Sequence, residues 1–583
     1  MAMYFDSPRG RREQEGPWRG LVGGLGVPTP PPALVERHAG RVLHPAHAVL
    51  APGARPPSAT AYRANTLLVP ESVLRDPAAV AAIDRALAVV GLVLEVPPPI
   101  GEALPSLRRW SRELRELPRA VVLRVRDGAP PTLIDAWVAL QAIRAAARGA
   151  RSAAVTDANA NATGGFGAAE PRLSPELASL ISLDHLMSAA IGGDPASEGN
   201  PASEGNPAES AENAAAGALF TATSRIPVEV LAAAPERTPV GKLPGSRRPV
   251  VAVLDTGIRP HPWLGTPNQH PDCFLTADDA LQAAIQAEEQ RVRDTGGLAI
   301  PVLHGYWDVA DEQGPTVGAL DSTIGHGTFI AGIVRQAAPD ARVHVVRIMH
   351  TDGFVQESVL LLALAVLGAQ VATALAEGDA EGLVDVVSLS LGYFDEDPGD
   401  AYTGHLAGLI DKLTDLGVAV IAAAGNQATV QPYYPAALAV RPDSDGALPV
   451  VSVGALNPNG TKAMFSNDGP WVTAWATGAD VVSTYPVELN GSQEPLIAAS
   501  PAGSLLDRVR ETLDPDDFHG GFAVWSGTSF SAPLVAAGLA AALLDEVENH
   551  PGDPGHGLGP ADPYEARRRV ERALRRIGAH GRD

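Results

Sequence analysis

The second half of the chain predicts an α/β fold whose mainly parallel sheet is covered by helices on both faces, and the first half predicts a small α+β layer ahead of it. Three observations carry this reading. From Pro249 onward, short apolar runs of β-branched character (Val250 to Leu254, Val343 to Ile348, Val384 to Leu391, Val418 to Ala423, Val450 to Val453) alternate with helical stretches such as Glu357 to Ala376 and Tyr402 to Leu416. Strands buried on both faces read as continuous apolar runs, and parallel pairing needs helical crossovers between them. Before Pro249 the order is strand, helix, strand, strand, helix, and at 583 residues the chain is long enough for more than one domain.

Residues 1–60 are rich in Pro, Gly and Arg, include Pro28-Thr29-Pro30-Pro31-Pro32 and hold no sustained period, which predicts an irregular segment. Residues 61–150 supply the α+β layer: strands at Asn65 to Val69, Leu92 to Val96 and Val121 to Val125, with helices at Pro77 to Val90 and Leu133 to Ala147. One more strand would complete a β-α-β-β-α-β order, and Pro227 to Leu231 is the expected candidate. It falls in residues 151–240, an Ala-rich polar stretch with a tandem hexamer, Pro195 to Asn200 and Pro201 to Asn206, too polar to bury a core. Residues 245–550 form the α/β domain. In 551–583 a Gly/Pro loop precedes a basic helix, with Asp562 as N-cap and Pro563 at its first position.

The net charge of -23 argues against nucleic-acid binding, which needs a basic face to release counterions. With Cys273 as the only cysteine, no intramolecular disulfide can form. The charged N-terminus has no apolar segment of signal-peptide length, and no stretch is expected to reach the roughly 18 apolar residues of a membrane span. A cytoplasmic protein is the simplest expectation, with a secreted one as the alternative if a leader is missing from this sequence.

Asp255-Thr256-Gly257 ends an apolar strand, which sets a carboxylate where α/β sheets place their ligands. The same tripeptide marks aspartic proteases, but no second copy supplies the other carboxylate. Gly325-His326-Gly327-Thr328 opens an apolar helix, and no His-Glu-x-x-His spacing points to zinc. Ser526-Gly527-Thr528-Ser529-Phe530-Ser531-Ala532-Pro533 puts Ser529 at a helix N-terminus, where backbone N–H groups favour developing negative charge. The Gly-x-Ser-x-Gly elbow fails because Ser531 stands at its last position. A fourth element, Val420 to Asn426, is an apolar strand ending in Gly425-Asn426.

These motifs resemble the subtilisin-like serine protease family, peptidase S8, whose triad runs in the chain order Asp, His, Ser. The resemblance spans about Pro249 to Val547. It implies a serine endopeptidase acting through an acyl-enzyme, with Asp255, His326 and Ser529 as triad, and an oxyanion hole from the Asn426 amide and the Ser529 backbone N–H. It also implies that Ser388-Leu389-Ser390-Leu391-Gly392, with Gly425, binds an extended protein or peptide substrate, with the His350 to Phe354 loop opposite and Tyr433-Tyr434-Pro435 shaping the S1 pocket. No cofactor or metal is needed for the chemistry, while structural calcium stays open because no calcium loop is identifiable. Inserts are expected around Pro267 to Ala319, with a charged helix at Ala277 to Arg293, and at Glu488 to Gly521. The first half resembles the ferredoxin-like chaperone domains of the family, which implies either a cleaved propeptide or a permanent N-terminal regulatory domain.

Overall fold

The structure, a computed structural model, describes residues 3–5, 32–51, 53–158, 173–189, 225–230, 232–244, 247–296, 300–310, 321–397, 404–441, 448–489, 518–550 and 557–578. The tandem hexamer and most of the second insert lie outside them. Met3–Phe5 forms β1, and a helical turn at Pro32–Arg37 leads into β2 (Gly40–Leu43), so the segment expected to be irregular contributes two strands. The N-terminal layer continues with β3 (Thr60–Pro70), α1 (Pro77–Ala88), β4 (Leu92–Glu95), β5 (Pro118–Val125), α2 (Ala136–Ala158) and β6 (Ser182–Ala189). Asp76 caps α1 by accepting from the Ala78 N–H, and Pro77 fixes its first turn. Leu67, Val69, Ile83, Leu87, Val121, Leu140, Ile143 and Leu183 close a core between this sheet and its two helices.

The completing strand is therefore Ser182–Ala189, not Pro227 to Leu231. β7 (Ile226–Pro227) lies elsewhere and pairs with a late strand of the second domain. Asp184 and His185 make β6 look solvent-exposed in sequence, yet both side chains are buried and bonded to the second domain.

That domain runs β8 (Val250–Asp255), β9 (Leu275–Ala277), α3 (Asp279–Gly296), α4 (His326–Ala337), β10 (Arg342–Arg347), β11 (Phe354–Gln356), α5 (Glu357–Glu377), β12 (Val386–Leu389), β13 (Leu391–Gly392), α6 (His405–Asp415), β14 (Ala419–Ala423), β15 (Val451–Leu456), β16 (Ala474–Thr477), β17 (Val481–Thr484), β18 (Phe522–Trp525), α7 (Thr528–Asn549) and α8 (Pro563–Arg576). The main sheet has the order β1-β16-β15-β14-β12-β8-β10-β9; every pair is parallel except the edge strand β1, which runs antiparallel to β16. Helices pack on both faces: α5 and α6 join one core with Leu254, Val387 and Val420, and α4 and α7 join another with Val253, Ile421 and Val453.

Two of these helices, α5 and α7, are long and apolar enough by length and composition to cross a membrane, contrary to the expectation of no such stretch. Both are mostly buried inside the fold, as helices that are hydrophobic all round must be in a domain core. The C-terminal helix belongs with the domain: Arg572 and Arg576 of α8 pair with Glu546 of α7, and Asp562 caps α8 by accepting from the Tyr564 and Glu565 N–H groups. At the other end of the sheet, Arg247 donates to both oxygens of buried Asp385, at 2.9 and 2.6 Å, and Asp385 also accepts from the Val250 N–H, joining the entry of β8 to that of β12.

The two layers meet along one continuous sheet. β6 pairs antiparallel with β3 in its own layer, and with β11 and β13 of the second domain. Arg119 on β5 adds a charged tie, donating at 3.0 and 2.8 Å to Glu288 of α3 and at 3.2 Å to Glu71.

Candidate active site

The topology collects Asp255, His326, Asn426 and Ser529, each from a different element end. Asp255 closes β8 and His326 opens α4, and the Nδ1 of His326 lies 2.7 Å from Asp255 Oδ1. Both are buried, so this contact acts in a low-dielectric surrounding. Glycines allow the approach: Gly257 has φ 100°, and a Cβ on Gly327 would collide with the Gly257 carbonyl oxygen. Trp525 and Phe530 pack on the imidazole at ring distances of 5.4 and 5.3 Å and fix its plane. Its other nitrogen, Nε2, is buried with no hydrogen-bond partner. A buried polar atom left unpaired costs free energy, and such atoms concentrate where a reacting group is to come.

Ser529 is the second residue of α7, among the first four N–H groups, which have no acceptor within a helix. Its hydroxyl donates to the Ser390 carbonyl at 3.2 Å, and the Ser390 hydroxyl donates back to the Ser529 carbonyl at 2.9 Å. Asn426 follows β14. Its Oδ1 accepts from the Thr528 N–H at 2.9 Å, which orients the amide, while its Nδ2 is buried and unpartnered. Gly425 donates its N–H to the Thr528 hydroxyl at 3.1 Å, tying the same turn to the start of α7. A buried amide donor is thus free beside a helix N-terminus, an arrangement suited to stabilising an oxyanion.

Part of the segment expected to bind peptide is already paired within the main sheet. Ser388 and Leu389 lie in β12, paired on one side with β14 and on the other with β8, so their backbone offers nothing to a ligand. Pairing outside the main sheet begins beyond Ser390, at Leu391 and Gly392. The opposite wall, expected over His350 to Phe354, continues through β11 to Gln356. β6 occupies the space between these walls: Leu391 and Gly392 face Ala189 and Ser188, and Phe354, Val355 and Gln356 face Ser188, Met187 and Leu186. The Ala189 N–H donates to the Gly353 carbonyl at 2.8 Å. Tyr433, expected to shape the S1 pocket, donates its hydroxyl to the Ser188 carbonyl at 3.1 Å.

Asp308 was not singled out by sequence. Its Oδ2 accepts from the Thr256 hydroxyl at 3.0 Å and from the Gly325 N–H at 2.7 Å, clamping the turn after Asp255 to the residue before His326. Burial pushes its carboxyl up to about 6, against the pull of Arg347 and Arg259 and the two donated hydrogen bonds. The only cue in the sequence was an Asp flanked by Trp307 and Val309 inside the first insert. Among the described residues, the one group of three His, Cys, Asp or Glu side chains close enough to share an ion is His185, Asp395 and Glu396, where the two layers meet.

Residues 246–570 match the model of the subtilase family, Peptidase_S8. A thermophilic serine proteinase from Bacillus sp. (strain AK1) is 28% identical over 279 residues, covering 45% of this chain and 53% of the relative. Subtilisin DY from Bacillus licheniformis is 28% identical over 225 residues, covering 38% and 71%. An extracellular basic protease from Dichelobacter nodosus is 27% identical over 317 residues, covering 52% and 43%. The chain thus spans about half the length of the Bacillus AK1 and Dichelobacter relatives.

Proposed function

The chain belongs to the subtilase family, and from that premise we propose that it is a serine endopeptidase with Ser529 as nucleophile, His326 as general base and Asp255 as the group that orients the imidazole. The observation that carries the reading is the buried His326–Asp255 pair, bonded through Nδ1 at 2.7 Å with Nε2 left unpartnered. A neutral imidazole whose Nδ1–H is held by a carboxylate presents a lone pair at Nε2, the state a general base requires. Attack needs the Ser529 hydroxyl to leave the Ser390 carbonyl and turn to Nε2, a change of side-chain rotamer. The proton then moves to Nε2 as Oγ bonds to the peptide carbonyl carbon. The oxyanion takes hydrogen bonds from Asn426 Nδ2 and the Ser529 N–H, and the imidazolium returns its proton to the leaving amine.

In the same reading, a substrate binds extended between β11 and β13, adding a strand to each. The N-terminal layer is an intramolecular occupant of that cleft. Support for this comes from β6, whose backbone pairs with both walls, and from Asp184, which accepts from the Ser358 N–H and hydroxyl at 2.9 and 3.1 Å in the first turn of α5. A layer held this way restrains the protease until it is cut or displaced. Intact-mass analysis of the active chain beside Ser529→Ala tests both parts. Self-cleavage in the former alone supports them, and a permanently uncut chain with no peptidase activity contradicts them.

A further inference from the structure

The junction between the layers contains a group of side chains that the proteolytic chemistry does not use. His185 of β6 is buried between two carboxylates of the second domain: its Nδ1 lies 2.6 Å from Glu357 Oε2 and its Nε2 2.7 Å from Glu396 Oε2. Asp395 is buried beside them, and one ligand atom from each of His185, Asp395 and Glu396 falls within 4.8 Å of the others. They line a cavity of about 300 Å³, together with Arg144, Arg148, Tyr393, Asp397 and His405. Tyr393 stacks on the imidazole at 4.4 Å and fixes the ring plane.

We propose that His185, Glu396 and Asp395 form a binding site for a divalent transition-metal ion of zinc type, bridging the N-terminal layer and the peptidase domain. The donor set is one imidazole nitrogen and two carboxylates, which suits zinc or cobalt better than the all-oxygen cages of calcium or magnesium. The Glu357 contact completes the pattern. A metal-bound histidine commonly donates its second ring N–H to a carboxylate, which fixes the tautomer and raises ligand basicity, and Glu357 holds that position at Nδ1. Three protein ligands leave a coordination position facing the cavity for water.

The charge balance points the same way. Glu357, Asp395 and Glu396 are three buried carboxylates, and Arg144 stands 3.8 Å from Glu396. A dication compensates them more fully than one imidazole can. Two ligand atoms on one tetrahedral ion at about 2.0 Å stand roughly 3.3 Å apart, so the Nε2 to Glu396 contact opens by about 0.6 Å on binding. Because the ligands come from both layers, the ion adds a bond across the junction, and this holds whatever β6 does to catalysis.

The test is calorimetric titration of the metal-free full-length chain with zinc chloride, repeated with cobalt(II), whose visible spectrum reports its ligands. One ion per chain is expected. His185→Ala and Asp395→Asn abolish that stoichiometric uptake, and Glu357→Gln, which keeps the side-chain shape, weakens it about 10- to 100-fold. If His185→Ala does not fold by circular dichroism, the Glu357→Gln result decides. Wild-type chain that takes up no ion at unit stoichiometry, or Glu357→Gln that binds as tightly as wild type, overturns the proposal.

Discussion

The Tyr433 hydroxyl donates to the Ser188 carbonyl at 3.1 Å across a sequence separation of 245 residues. One partner stands on the wall of the cleft and the other on the last strand of the N-terminal layer. The groove proposed to take peptide thus holds a segment of the same chain whose register is fixed on both sides, by Gly392 against Ser188 and by Phe354 against the same residue.

That register sets the expected site of self-cleavage. β13 runs away from Ser390, whose carbonyl touches the Ser529 hydroxyl, and antiparallel pairing sets Ser188 at Gly392 and Ala189 at Leu391. The cut is therefore expected just beyond Ala189, outside the described residues. Amino-terminal sequencing of the processed chain should place the new terminus within a few residues after Ala189, and Ser529→Ala should show no such fragment. A cut inside β3 or β5 instead would contradict the register argument.

Removing the amide donor of Asn426 should act on the transition state alone. Asn426→Ala is expected to lower kcat by about 10²- to 10³-fold with little change in KM, because a ground-state carbonyl gains little from the oxyanion donor. Steady-state kinetics on a peptide substrate, with the folded fraction measured by circular dichroism, separates this from a folding defect, which would lower kcat only in proportion to the folded fraction.

The tie between Arg119 and Glu288 predicts an acid-sensitive junction. Burial alone would raise the Glu288 carboxyl, but Arg119 and Arg291 outweigh it and hold the group down to about 2, against an ordinary value of 4.5. A carboxyl with a lowered folded pKa contributes stability that is present above pH 4.5 and lost as pH falls toward 2. Urea unfolding should therefore show a stability loss in that window that Glu288→Gln lacks. Near neutral pH the variant is expected to be less stable by about 3 kcal/mol, since Arg119 keeps only Glu71.

Asp308 carries the opposite sign. Its carboxyl is raised to about 6 from 3.8, so the folded state holds the proton longer, and its contribution to stability falls as pH rises from about 4 to about 6. Asp308→Asn keeps an acceptor for the Thr256 hydroxyl and the Gly325 N–H and should abolish that slope. Denaturant midpoints measured from pH 4 to pH 7 check this; identical pH slopes in the two proteins would remove the case for a buried titrating group between the motifs.

What was legible in the sequence follows from how far apart the cooperating residues lie. Asp255, His326 and Ser529 could be proposed because each sits in a short glycine-containing motif at the end of an apolar element, and the motifs taken together, in that order, resemble those of one family. The parallel sheet was legible because its strands are uninterrupted apolar runs. β6 was not, because Asp184 and His185 find their partners 174, 172 and 211 positions away, and without those partners a charged strand reads as surface. Asp308 stayed hidden because its role exists only once two loops meet. Ser388 and Leu389 were assigned to the cleft because sequence does not reveal where a strand leaves a sheet; the break falls at Ser390.

Covalent labelling with a fluorophosphonate probe measures most directly whether Ser529 is a nucleophile activated by His326. The processed chain is expected to take up one probe per molecule on the peptide containing Ser529, with none on Ser529→Ala and slow, weak labelling on His326→Ala. A folded, processed chain that takes up no probe, or one labelled equally well without His326, would contradict it.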